Sequence, residues 1–156
     1  MRAIMFFVSA AATMLATVIS AHAELGGAPT WLGNSASQST MLVEHRSAAS
    51  VGYTVNETTL ASGTVVREYV AQDGTVFAVV WRGPQMAPLN TLLGSYFQTY
   101  LQGLSAVQTA RGRAYGPATV QQTGLIVQTG GHMGAFTGRA YLPLALPQGT
   151  SSDDLR

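Results

Sequence analysis

The chain has 156 residues, no cysteine, three histidines and eight arginines as its only basic side chains, against seven acids. Without cysteine there is no disulfide framework, no thiol nucleophile, no thiolate metal site and no sulfur for lipid attachment. A net charge of +1 gives no electrostatic footprint for nucleic acid or an anionic membrane.

The first 23 residues read as a secretory signal peptide. Arg2 supplies the positive start, Ala3 to Ala16 is apolar apart from Ser9 and Thr13, and Ala21-His22-Ala23 is a small-x-small cleavage site. The apolar run extends through Val18 and Ile19, which approaches the ~20 residues of a membrane span. Thr17, Ser20 and the Ala-His-Ala ending favour cleavage after Ala23, leaving no stable membrane anchor. The expected location is the periplasm or the exterior. The remainder is 156 − 23 = 133 residues with seven arginines and seven acids, formally neutral. That length suits one domain burying roughly two-thirds of its unfolded surface.

Residues 24–40, rich in Gly, Ala, Ser and Thr around Trp31, show no helical or strand period and are expected to form an extended arm. Trp31 is expected to tuck into the body. The domain proper should run from 41 to 147, starting with Met41 to Arg46 as a short strand. Tyr53 to Leu60 and Thr64 to Gln72 read as strands joined by Ala61-Ser62-Gly63, with glycine where a left-handed residue falls. Asp73-Gly74 is a two-residue hairpin signal into Thr75 to Arg82, and Gly83-Pro84 stops the resulting meander.

Pro88 to Leu101 changes period. Leu89, Leu92, Leu93, Tyr96, Phe97, Tyr100 and Leu101 form one apolar helical face, with Pro88 in the first turn and Gly103 just past the end. Leu104 to Pro117, holding Arg111 and Arg113, reads as a connector. Ala118 to Gln122 and Leu125 to Thr129 read as strands, and Gly130-Gly131 as a turn into His132 to Leu142. Gly112 to Pro117 (GRAYGP) and Gly138 to Pro143 (GRAYLP) are a near-repeat too short to establish duplication. Residues 148–156 form a polar tail, expected to fray. The predicted fold class is α+β: an antiparallel sheet, made of a three-stranded meander and a C-terminal hairpin, with one amphipathic helix packed on it.

The hairpin register then assigns faces. With a two-residue turn, Val66, Glu68, Val70, Phe77, Val79 and Trp81 share one side, and Arg67, Tyr69, Val80 and Arg82 the other. The three-residue link sets Glu57 opposite Arg67, with Arg82 diagonal to it. Arg67 and Arg82 are candidate binding residues, because a guanidinium fork suits a carboxylate or phosphate. The competing reading is a cross-strand Glu57–Arg67 ion pair worth ~0.2–1 kcal/mol. Trp81 is a third binding candidate if its face is open; the helix covers it if not. Glu68, a carboxylate on an apolar face, and His132, at a turn, are the candidates for acid or base chemistry. No metal-binding histidine spacing, nucleophile elbow or lysine-bearing phosphate loop occurs, so neither metal nor cofactor is assigned.

The strings GYTVNETTLASGTVVREYVAQDGTVFAVVWRGP, PLNTLLGSYFQTYL and TGGHMGAFTGRAYLP resemble the small exported proteobacterial proteins of domain-of-unknown-function family 2844. The resemblance covers roughly Glu24 to Pro147. It implies a Gram-negative envelope setting and transfers no activity. The expected function is therefore a non-enzymatic binding or accessory domain of the envelope, with a protein or glycan partner. The alternatives are an envelope hydrolase acting on a glycan or ester through Glu68 or His132, and a structural subunit pairing by strand addition.

Overall fold

The computed structural model describes residues 24–30, 42–44, 52–112 and 116–156. The expectations for the signal segment, Trp31 and Arg113 lie outside these residues. Among the described residues seven strands form one antiparallel sheet: β1 Leu42–Glu44, β2 Tyr53–Thr59, β3 Val65–Ala71, β4 Val76–Gly83, β5 Ala118–Gln122, β6 Leu125–His132 and β7 Ala135–Tyr141. Their order is β1-β2-β3-β4-β7-β6-β5. The fold is α+β as expected, and the C-terminal hairpin is part of a second meander. Pairing of β4 with β7, from Ala78↔Tyr141 to Gly83↔Phe136, fuses the two meanders into one surface.

The first hairpin closes as its sequence dictates. Leu60 N–H donates to Thr64 O at 2.9 Å and Gly63 N–H to Leu60 O at 2.8 Å, with Gly63 at φ 80°, so Glu57 lies opposite Arg67. The second hairpin differs from expectation. Its loop is Gln72-Asp73-Gly74, closed by Ala71 N–H donating to Thr75 O at 2.9 Å. Asp73 Oδ1 accepts the Thr75 N–H at 2.9 Å; that bond and Gly74 at φ 85° favour a three-residue loop over a two-residue turn.

A bulge between Tyr69 and Val70 then restores the expected register, pairing Val70 with Val76 and Tyr69 with Ala78. Phe77 is the extra residue, and it moves to the face opposite the one expected. There it meets Tyr53 and Tyr69, with centroids 5.6 and 6.1 Å away.

The β6–β7 turn is Met133-Gly134 rather than Gly130-Gly131, because His132 pairs with Ala135. Gly131 serves close strand approach instead: at φ 106°, a Cβ there would lie 2.1 Å from Ala135 O.

Between β4 and β5 the chain forms α1 (Leu89–Leu93), a 3-10 turn (Gly94–Tyr96) and α2 (Phe97–Ala110). The break falls where Glu24 arrives, its Oε2 accepting the Ser95 N–H at 3.0 Å. A Cβ on Gly94, at φ 48°, would collide with that carboxylate. The break also rotates the apolar stripe, leaving Leu101 39% exposed. Gly103 does not end the helix. It lies in contact with β5, where a Cβ would meet Val120 Cγ1 at 2.3 Å. Replacing a helical glycine by alanine ordinarily gains up to ~1 kcal/mol. Here Gly103→Ala should lower the melting temperature; a rise would show that α2 is not seated against β5.

The helical layer covers the face that carries Val66, Val79, Trp81, Val120, Leu125 and Val127, packing Leu92, Leu93 and Tyr100 onto it. The arm joins this core. Leu25 is buried, and Gly26 N–H and Gly27 O bond the C=O and N–H of Val76, each at 2.8 Å. The opposite face has its own smaller core of Tyr69, Phe77, Ala78, Tyr141 and Leu155. The last of these shows that the tail docks rather than frays. A capping box between Ser151 and Asp154 shapes it, and the Tyr69 hydroxyl donates to Arg156 O at 2.8 Å and accepts the Arg156 N–H at 2.9 Å.

Candidate functional site

On the face away from the helix, strand pairing sets out two rows of side chains. The first runs Glu57, Arg67, Val80, Arg139, Gln128, and the second Val65, Arg82, Thr137, Gly130. Two guanidinium groups thus flank Val80, and a third lies diagonal to both.

The flanking pair is held in closely similar ways. Arg67 Nε donates to Glu57 Oε2 at 2.6 Å and its Nη1 to Arg156 O at 3.0 Å. Arg139 Nε donates to Gln128 Oε1 at 2.6 Å and its Nη1 to Ser152 O. Each arginine spends one edge on the neighbouring outer strand and another atom on the tail. This is a fastening for residues 152–156. The exposure of Arg67 and Glu57, 43% and 27%, limits their ion pair to the modest range of solvent-screened pairs, below ~1 kcal/mol.

Arg82 differs: it is exposed, with no hydrogen bond or ion pair among the described residues. It borders a groove of about 580 Å³ lined by both rows together with Leu155 and Arg156. Of the seven arginines after residue 23, four line this groove (Arg67, Arg82, Arg139 and Arg156), with Glu57 as the lining carboxylate. Four of those seven cations are thus gathered on one patch, over an apolar floor of Val65 and Val80. Asp153 and Asp154 follow closely in the tail but do not line the groove. Asp154 is held below the usual carboxylate range by bonds from the Ser151 backbone and hydroxyl.

The other candidates lie elsewhere. Trp81 is 0% exposed, in the core under the helical layer. Its side chain presents no surface to a partner.

Glu68 is on the helix side, 2% exposed, with Oε1 accepting the Thr30 N–H at 2.8 Å. Burial pushes its carboxyl above the ordinary glutamate value, and the bonds from Thr30 partly offset this. The arm closes it off. His132 is exposed beside the β6–β7 turn, its Nδ1 3.0 Å from Met133 O. Glu68 and His132 therefore share no site.

Sequence reasoning missed Arg139 and Arg156. Placing Arg139 requires knowing that β7 pairs with β4, and placing Arg156 requires the tail to dock. The Ser151-x-x-Asp154 capping signature was the readable hint for the latter.

A family model described as "Protein of unknown function (DUF2844)" matches residues 21–155. The chain belongs to the DUF2844 family. No curated protein and no solved structure matches it. The DUF2844 span takes in the arm that reaches Glu68 and the tail through Leu155 as well as the sheet. Among the described residues, no helix of this DUF2844 protein is long and apolar enough to cross a membrane.

Proposed function

We propose that this DUF2844 protein is an exported, non-enzymatic binding domain of the Gram-negative envelope that takes an anionic group of its ligand into the groove at Arg82. The observation that carries this reading is a guanidinium with no partner among the described residues, in a groove whose other strand arginines are already held. Arginine geometry suits bidentate capture of a carboxylate or phosphate, and preorganised neighbours reduce the entropy lost on binding. The signal sequence supports export. The location is checked by the intact mass of the purified protein, which should correspond to a chain beginning at Glu24; retention of residues 1–23 would contradict it.

The site reading is checked by titrating the protein with inorganic phosphate and following arginine Nε–H signals by NMR. A saturable shift at Arg82 is expected, lost in Arg82→Gln while the melting temperature holds. Arg67→Ala should instead cost about 1 kcal/mol of stability, because it unfastens Glu57 and the tail. If phosphate moves no groove signal, or if Arg82→Gln leaves the titration unchanged, the site is misplaced.

A further inference from the structure

We infer that the groove's ligand is a single carboxylate carried on an aliphatic chain. This rests on the groove being the binding site, and three features of its lining narrow the chemistry.

The first is charge. Among the described residues Arg82 is the strand arginine without a partner, Arg67 and Arg139 being bonded to Glu57, Gln128 and main-chain oxygens of the tail. Arg156 donates its Nε to Asp153 O at 3.1 Å. One uncommitted planar fork matches one carboxylate, oxygen for nitrogen. A dianionic phosphate can also bind Arg82 but gains less, since Arg67 and Arg139 have already committed Nε and Nη1 and present no free fork beside it.

The second is the body of the groove. Val65, Val80 and Leu155 give it an apolar floor and wall, so a chain leaving the carboxylate at Arg82 can run over Val80 toward the docked tail. The volume of about 580 Å³ falls within the ~300–1,000 Å³ of small-ligand sites.

The third is what the lining lacks. The Trp81 ring belongs to the core on the other side of the sheet, and Tyr69 is buried beneath the tail. Among the described lining residues no aromatic face is open, so a sugar ring finds no stacking platform.

The test is calorimetric titration of the purified protein with acetate, decanoate, decanol and decyl phosphate, each below its micelle threshold, repeated with Arg82→Gln and Arg82→Lys. Each buried methylene multiplies affinity about fourfold, so decanoate should bind at one site at least tenfold more tightly than acetate. Decanol, lacking the charge, and the Arg82→Gln protein should each lose at least tenfold. Arg82→Lys should fall between wild type and Arg82→Gln, since lysine keeps the charge but not the fork.

If acetate and inorganic phosphate bind at Arg82 and decanoate binds no tighter, the aliphatic chain is wrong while the anion groove stands. Tighter binding of decyl phosphate than of decanoate overturns the carboxylate assignment. If no anion binds, both this inference and the proposed site fall.

Discussion

Replacing Trp81 by alanine is expected to lower the unfolding free energy by about 3–5 kcal/mol and the melting temperature by roughly 10–20 °C. Trp81 heads the fully buried side chains, and the sheet is built to receive it. It faces Val66 on β3 and Gly138 on β7, and Gly138 lacks a side chain where the indole lies, since a Cβ there would sit 2.3 Å from the ring. The alanine variant removes the ring but leaves the glycine, so the cavity has little to collapse into it.

Trp81→Phe should cost much less than that. Among the described residues the buried indole Nε1 has no hydrogen-bond partner, a penalty of ~1–3 kcal/mol that phenylalanine does not carry. Denaturant unfolding of the two variants checks both statements. A loss below ~1 kcal/mol for Trp81→Ala would mean that the helical layer does not close over this face.

The second large effect is expected at Glu68, and its sign depends on pH. Burial raises the Glu68 carboxyl in the folded state, so the folded chain binds its proton more tightly than the unfolded chain does. Stability must then fall as pH rises from the ordinary glutamate value through the raised one, and stay lower above it. Glu68→Gln keeps an oxygen for the Thr30 N–H and cannot ionise. It should flatten this part of the pH–stability curve and be at least as stable as the wild type above neutral pH.

Glu68→Ala removes the acceptor of the Thr30 N–H as well. It should cost about 1–3 kcal/mol and speed proteolysis of residues 24–30. Melting curves of the three proteins from mildly acidic to mildly alkaline pH decide the matter. A wild-type stability that rises with pH across that window, steeply and only when Glu68 is present, would contradict an upward shift of the Glu68 carboxyl on folding.

How far the sequence could be read depended on the range of the interaction. The Glu57–Arg67 pairing was legible because a three-residue link with glycine in the left-handed position fixes a register within ten residues. The bounds of β5 were legible from their flanking turns. The faces of β4 were legible except at Val76 and Phe77, where Asp73 prefers to bond Thr75 N–H and the bulge absorbs the mismatch. The helix was cut short because Gly103 reads as a stop. In the fold it is a point of contact with Val120, a tertiary reason that periodicity does not carry.

The candidate site was half legible for the same reason. Arg67 and Arg82 belong to one local hairpin, and the bulge at Phe77 returns them to the face that a two-residue turn assigns. Arg139 joins them through a strand pairing that spans more than fifty residues, and Arg156 through a tail whose one buried side chain, Leu155, sits among polar residues. Glu68 stood as a candidate for acid or base chemistry because the arm that seals it, at Thr30, lies 38 residues earlier. Its place on the helix side, 2% exposed beneath Thr30, sets it apart from the surface groove.

The most direct measurement is a crystal structure of the protein soaked in bromide, read from the anomalous difference map. An anion groove at Arg82 predicts an ion within ~4 Å of its guanidinium, away from lattice neighbours and absent in Arg82→Gln crystals. Bromide at Arg67 or Arg139 with none at Arg82, or a groove filled by the chain itself, would contradict it.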